Sequence, residues 1–388
     1  MSTLRVILDQ AGDEHPSGIG RYALELTRHL IATTPRGSEV TGVVPASSEA
    51  DYDRIARALP DLVALHKSAL DRRQLAAVWQ HGFTKLPGAG MVHAPSLLAP
   101  LYRHDRINNP GEQFVVTAHD AIALEHPELL TSRRAGWQRS MLKRAQRYAD
   151  ALVVPTHAVG DQISRHLDFG DRLRVIGGAP SSSFVVGSDA DDRAETLQLP
   201  ERYLVHLGTV DAASGVGHLI EALALDAAPD LPLVLVGNAT AGIDVDALAA
   251  AAGLAEGRVR TLGRLPDADV AVVVSRAAAA VVPSVAAGFG HSMLEAMSLR
   301  VPVVHSDAPA LEEVAVDAGH MVRLRTHGGT TAETPADEGY PLRLAEALRE
   351  VVDDEAYAEQ LRVRGVDRSG AYSWRDSAEK TWQLHADL

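Results

Sequence analysis

Short apolar runs alternate with helical patterns along the whole chain. LRVILD (4–9), EVTGVV (39–44), MVHAP (91–95), FVVTAHD (114–120) and ALVVPT (151–156) form a first series. LVHLG (204–208), PLVLVGN (232–238), VRTLG (259–263), AAVVPS (279–284) and PVVHSD (302–307) form a second. Strands that are apolar almost throughout and separated by helices belong to parallel sheets covered on both faces. Two such series predict two doubly wound α/β domains. Pro180, Ser181, Ser182, Ser183 and Gly187, followed by the acidic run SDADDRAE, mark a polar linker and hinge near 180–190. Residues 372–388 read as a helix with Trp374, Ala378, Trp382 and His385 on one side. The stretch 270–282 is the most membrane-like, but it contains Arg276 and stops at Pro283. It reads as a helix followed by a buried strand, so no transmembrane segment is expected. The opening MSTLRVILDQ, interrupted by Arg5 and Asp9, is too short for a signal peptide.

A length of 388 residues exceeds one ordinary core, and aromatics at 4% leave Leu, Val, Ile and Ala to fill two. The net charge of -14 argues against nucleic acid as a general partner. The chain has no Cys, which excludes disulfides, thiolate nucleophiles and Cys-ligated zinc. That usage fits a reducing, cytoplasmic compartment.

Ligands of doubly wound sheets lie beyond the carboxyl ends of the strands, and three strand ends carry possible chemistry. In LDQAGDEHPSGIGRYALEL, Gly18 and Gly20 open an amphipathic helix whose N-terminus suits an anion; a plain tight turn explains them equally well. In VVTAHDAIALEHPE, His119 and Asp120 follow a strand directly. His119 there polarises or protonates a phosphate or acceptor hydroxyl, or is satisfied by neighbouring backbone. In VVPSVAAGFGHSMLEAM (281–297), Gly288 and Gly290 precede a helix whose first N–H groups can hold a phosphate, with Glu295 about one turn in to accept from sugar hydroxyls. Asp-x-Asp matches at Asp51, Asp189, Asp244 and Asp267 fall in helical or linker context, and no metal is inferred from them. Residues 131–148 hold six basic residues and no acid. Arg139, Lys143 and Arg147 form one stripe, and Trp137, Met141, Ala145 and Tyr148 form an apolar one. Such a helix either touches an anionic membrane surface or docks on its own sheet with a solvated basic face.

Five segments together make the chain resemble the GT-B glycosyltransferases of the retaining family four over nearly its whole length. They are SGIGRYALEL, TAHD, GTVDAASG (208–215), PSVAAGFGHSMLE and the C-terminal YSWRDSAEKTWQLH. The resemblance implies two Rossmann-like domains facing across a cleft: 1–183 on the acceptor side, 190–366 for the nucleotide sugar, and a helix over 367–388 crossing back to the first. It implies metal-independent, retaining transfer of a hexose, of mannosyl or glucosyl type, from a nucleotide-diphosphate sugar to a hydroxyl acceptor, with no cofactor. It casts His119 and Asp120 as catalytic. Gly18 and Gly20 approach the acceptor or a phosphate, and donor contacts fall to Gly208, Ser214, Gly215, Gly288, Phe289, Gly290, His291, Ser292 and Glu295. A peripheral place at the inner membrane face, through 131–148, follows as an extension.

Three charged donor contacts of that family are replaced. Its Arg and Lys after the first strand of the second domain are Ala213 and Ser214 here, and the first Glu of its signature is Ala287. Each lost charge-assisted bond removes roughly 1.5–3 kcal/mol. One reading is a divergent enzyme whose clamp is rebuilt from the amides of Ser214, Gly215, Val216 and Gly217, with Arg174, Arg260 or Arg264 as helpers. Another is a non-catalytic partner of an active glycosyltransferase, and a third a nucleotide-sugar epimerase. The retained His119, both glycine loops and Glu295 favour the enzyme.

Overall fold

The computed structural model describes residues 2–83, 86, 90–105, 108, 111–326 and 336–388. The chain divides into two compact units, Met1–Gly178 with Ser373–Leu388, and Ala179–Tyr372. The first division falls just ahead of the serine run. The second separates the helix Glu355–Gly370 from the helix Trp374–Asp387, so residues 367–370 continue the former and Ser373 caps the latter.

The first unit contains β1 (Ser2–Ile7), β2 (Ser38–Val44), β3 (Leu65–Lys67), β4 (Met91–Ala94), β5 (Gln113–Thr117), β6 (Ala151–Val154) and β7 (Leu173–Val175). They form one sheet in the order β3-β2-β1-β4-β5-β6-β7, parallel throughout. The second contains β8 (Leu204–Leu207), β9 (Leu233–Val236), β10 (Val259–Gly263), β11 (Ala279–Val282), β12 (Val303–Ser306) and β13 (His320–Val322). Its parallel sheet runs β10-β9-β8-β11-β12-β13. The ten apolar runs are all strands; β3, β7 and β13, three residues each at sheet edges, are additions to the sequence reading.

Burial explains the pattern. β5, β6, β9, β11 and β12 are buried at every position, because helices cover both faces. The stretch read as helix then strand is the helix Asp267–Ser275 followed by β11. The helix Gly18–Ala32 buries Tyr22, Leu26 and Leu30, spaced four apart along one face. Against it packs the C-terminal helix Trp374–Asp387, with Trp374, Ala378, Trp382 and His385 all buried. Its Trp382 Nε1 donates to the Leu30 carbonyl at 3.0 Å, and Ser377 Oγ donates to the Gly177 carbonyl at 2.7 Å. Each fully buried Leu or Trp-sized side chain contributes about 1.5–3 kcal/mol or more by leaving water. Among the described residues no helix is long and apolar enough to cross a membrane.

Candidate active site

In each unit the strand order reverses once, between β1 and β4 and between β8 and β11. The connecting helices leave such a pair over opposite faces, opening a crevice at the carboxyl ends.

In the second unit two loops meet at this point. After β8, Asp211 folds the chain back on itself: its Oδ1 accepts from the amides of Ala213 at 3.1 Å and Ser214 at 2.9 Å. Ser214 Oγ donates to the Asp211 carbonyl at 2.7 Å and accepts from Val216 N at 3.4 Å. Val285 N donates to the Ala213 carbonyl at 2.9 Å, joining this loop to the one after β11. Gly215 has φ +71°, and a Cβ there would lie 2.0 Å from the Pro283 carbonyl oxygen. That oxygen already accepts from Tyr340 Oη at 3.1 Å. Gly237, after β9, is fitted as tightly to the Gly208 carbonyl. The turn thus depends on glycine at both approaches.

Two helices start from these loops, Val216–Leu223 after Gly215 and His291–Ser298 after Gly290. Neither has a side-chain cap or an acid in its first turn. Eight helix starts elsewhere are capped by the side chains of Ser17, Ser48, Asp71, Thr131, Thr156, Asp244, Asp354 and Ser373, while those that follow Ala121, Asp189, Pro266, Ala308 and Gly339 are not. A glycine N-cap supplies no side chain to the first-turn N–H groups, although Val216 N is taken by Ser214 Oγ, and the helix dipole favours an anion there. Glu295, in the second turn of the later helix, is 6% exposed. Phe289 is turned inward, edge-on to Tyr372 at 5.6 Å and beside His291 at 4.7 Å, so its ring holds the loop. Gly288, His291 and Ser292 are partly exposed.

The positions that stand in for the charged clamp, Ala213 and Ser214, are 6% and 7% exposed. Each of the three candidate helper arginines already has a partner. Arg174 lies in the first unit and donates to the carbonyls of Asp171 and Leu173. Arg260 donates to those of Leu197 and Gln198. Arg264 is not free. The amides of Ala213, Ser214 and Val216 are held within the loop by Asp211 and Ser214, so an amide clamp falls to the remaining first-turn N–H groups of the helix Val216–Leu223.

In the first unit, Asp9 follows β1 and accepts from Arg72 Nε at 2.8 Å and from Ser96 Oγ at 3.3 Å, joining the loops after β1 and β4 to the helix Arg72–His81. Ser17 Oγ accepts from Gly20 N at 3.1 Å, so this helix start is capped. The place a Gly20 Cβ would take is filled by the Gln10 carbonyl at 2.5 Å, whereas Gly18 faces open space. Gly20 therefore serves chain packing. His119 Nε2 meets the Pro95 carbonyl at 2.7 Å. Only an N–H can donate there, so the neutral ring keeps its lone pair on Nδ1. Burial lowers the His119 pKa, opposed by the Pro95 bond and by Asp120 and Asp9. Its ring stands edge-on to Tyr22 at 4.7 Å. Asp120 Oδ1 accepts from Ile122 N at 3.0 Å and turns the chain into the short helix Ile122–Glu125.

A cavity of about 860 Å³ opens beside His119 and Asp120. Its walls are the helix Arg72–His81 and the first turns of the helix Ser132–Tyr148. The latter buries Met141, Leu142 and Ala145 within its own unit, and Trp137 Nε1 donates to the Ala76 carbonyl at 3.4 Å. Arg139, Lys143 and Arg147 point outward. The four Asp-x-Asp matches serve local structure: Asp51 completes a capping box with Ser48, Asp189 pairs with Arg193, Asp244 caps a helix, and Asp267 opens one. Among the described residues no cluster of three or more His, Asp or Glu is arranged to share a metal ion.

Residues 188–366 match the family model described as Glycosyl transferases group 1, and residues 16–179 match Glycosyltransferase Family 4. The chain is 25% identical to O-antigen chain mannosyltransferase B of Escherichia coli, over 94% of each chain. It is 29% identical to alpha-maltose-1-phosphate synthase of Mycolicibacterium smegmatis, over 76% of this chain and 79% of that one. Among solved structures, sucrose-phosphate synthase from Thermosynechococcus elongatus superposes with a TM-score of 0.74 at 20% identity, covering 100% of this chain and 99% of that one. The Anabaena protein HepE, solved with UDP-glucose, gives 0.72 at 17% identity over 100% of both.

Proposed function

Since the chain belongs to the group 1 glycosyltransferases of family four, hexosyltransferases with the GT-B fold, we propose that its second unit holds a nucleoside diphosphate sugar and its first unit the hydroxyl acceptor. The observation that carries this is the pair of glycine-capped helix starts after the adjacent strands β8 and β11. Their amides hold the diphosphate in place of the missing Arg and Lys. Glu295 accepts from the ribose hydroxyls, and the amides around Gly288, Gly290, His291 and Ser292 meet the sugar. The acceptor oxygen bonds to the sugar's anomeric carbon as the bond from that carbon to the diphosphate breaks. The electron pair leaves on the phosphate oxygen, which takes up the acceptor's proton, so configuration is retained and Ala287 needs no carboxylate. His119 Nδ1, kept unprotonated, accepts a hydrogen bond from a substrate hydroxyl. The outward stripe Arg139, Lys143 and Arg147 supports a peripheral contact with an anionic membrane.

The test is calorimetric titration with nucleoside diphosphates and their glucose and mannose conjugates, since relatives include a named mannosyltransferase and a protein solved with UDP-glucose. Glu295→Gln is expected to weaken nucleotide binding by roughly tenfold to a hundredfold, the worth of about 1.5–3 kcal/mol of hydrogen bonding, without changing the melting profile. Silence of the wild type across the panel supports the non-catalytic partner instead.

His119 gives a pH signature. Its neutral form is the working one and its pKa lies below 6.5, so kcat/KM holds as pH drops past 6.5 and falls only as the lowered pKa is crossed. An acid limb centred at or above 6.5, or one that persists in His119→Asn, removes the residue from this role.

A further inference from the structure

We propose that the acceptor carries an anionic group, a phosphate or a chemically similar oxyanion, held in the first unit's cavity by Arg73, Arg133 and Arg134. The proposal rests on the transferase reading only in calling the ligand an acceptor.

The cavity's charge is one-sided. Four arginines line it, Arg72, Arg73, Arg133 and Arg134, against one acid, Asp120. Arg72 is already paired with Asp9 at 2.8 Å, and Asp120 is occupied by the Ile122 amide. Among the described residues no carboxylate or carbonyl engages the guanidinium of Arg73, Arg133 or Arg134. Most other arginines of this acid-rich chain are tied to a carboxylate or carbonyl, as Arg28, Arg54, Arg258 and Arg349 are. Three uncompensated cations around one cavity, in a chain of net charge -14, are the reverse of what its composition favours.

Placement adds to the charge. Arg133 and Arg134 stand in the first turn of a 17-residue helix that holds no acid there, so the helix dipole has the same sign as their side chains. Planar guanidinium forks suit the paired oxygens of a phosphate or carboxylate. The remaining lining includes Leu97, Leu98, Ala76 and Trp137, apolar surface for a carbon skeleton. At about 860 Å³ the space exceeds what a bare oxyanion needs and suits a molecule of drug-like size. A phosphorylated sugar or polyol combines the two requirements, and so does the headgroup of an anionic lipid.

The experiment titrates the full chain with glucose 1-phosphate, inorganic phosphate and uncharged methyl glucoside, and measures sedimentation with vesicles of phosphatidylglycerol mixed with phosphatidylcholine. The variant is Arg73→Gln with Arg133→Gln and Arg134→Gln. All three residues are exposed, so the fold is expected to survive, and an unchanged melting transition of the first unit in the variant verifies this. Glucose 1-phosphate is expected to bind at least about tenfold more tightly than the glucoside, an advantage that the triple change abolishes and that shrinks with added salt. Loss of vesicle binding in the variant, with the soluble phosphates silent, supports the same anion site with a lipid as its source. Equal affinity for charged and uncharged sugars, with vesicle binding absent or untouched by the triple change, overturns the proposal, and so does phosphate binding that the triple change leaves intact. Phosphate binding lost in the variant while the wild type ignores every nucleoside diphosphate leaves the anion site standing and removes the transferase assignment.

Discussion

Gly215→Ala is expected to lower the stability of the second unit by about 3–5 kcal/mol, a fall in its melting temperature on the order of 10 °C. A left-handed backbone costs a side-chain-bearing residue about 1–2 kcal/mol. The larger part is steric, because the new Cβ would meet the Pro283 carbonyl oxygen at 2.0 Å. Backbone rather than a flexible side chain stands in the way, and it follows directly on β11, with Tyr340 bonded to that oxygen. Either the loop after β8 lifts or the strand end moves. Both separate the two helix starts, so nucleoside diphosphate binding should vanish with the lost stability. Gly217→Ala, two residues on, is the control: nothing lies within 4 Å of its Cβ. There a helical glycine gives way to a better helix former, for a gain of about 0.5–1 kcal/mol. Equal melting temperatures for the two variants would show that the loop is loose and the fit unimportant.

Acid is expected to destabilise the first unit from about pH 6.5 downward. His93, on β4, is 0% exposed, and neither ring nitrogen has a partner among the described residues. Its ring centroid lies 5.7 Å from that of His385, which is 3% exposed and shares a 3.0 Å hydrogen bond with Gln113. Burial pushes the pKa of His93 down to about 4. Burial, and then the neighbouring His93, lower that of His385. Above pH 6.5 both states hold these rings neutral and nothing is lost. As pH falls from 6.5 towards 4, the unfolded chain takes up protons that the folded chain refuses, so stability drops. At about 1.36 kcal/mol per pH unit, His93 alone removes about 2 kcal/mol by pH 5. In the second unit burial lowers His206 and His305 in the same direction. Melting temperature against pH should therefore slope downward below 6.5, and His93→Leu should flatten the slope of the first unit's transition. A slope unchanged by that substitution would move the proton uptake elsewhere.

The sheets were legible because strands buried on both faces write themselves as unbroken apolar runs. β3, β7 and β13 left no such trace: Leu-His-Lys, Leu-Arg-Val and His-Met-Val sit at edges where one side meets solvent. Glycines were legible as a class but not by role. Gly18 and Gly20 read alike, yet one faces open space and the other is pressed on a carbonyl. The loss of charge at Ala213 and Ser214 could be read, whereas the turn that Asp211 builds there could not, since one Asp among many carries no signal. Helical periodicity singled out Arg139, Lys143 and Arg147. The arginines that line the cavity are Arg133 and Arg134, with Arg72 and Arg73 about 60 residues away in sequence, a grouping that only the tertiary fold creates. Asp9, which registered in the sequence only as an interruption of an apolar run, joins three segments of the first unit.

The first unit is interrupted in sequence by the second. Its core cluster of Val115, Ala151, Val153 and Ile176 is completed by Leu384, from a helix that follows the whole second unit in the chain. Ribosomes deliver a chain from its N-terminus, and domains fold as their residues emerge. The part made first therefore closes last. While residues 179–372 are being synthesised, the face awaiting Trp382, Leu384 and His385 stays bare. The second unit, continuous in the chain, can be complete before that gap is filled. A released chain ending at Tyr372 would carry a complete second unit and an open, sticky first one, the form that chaperones are built to hold.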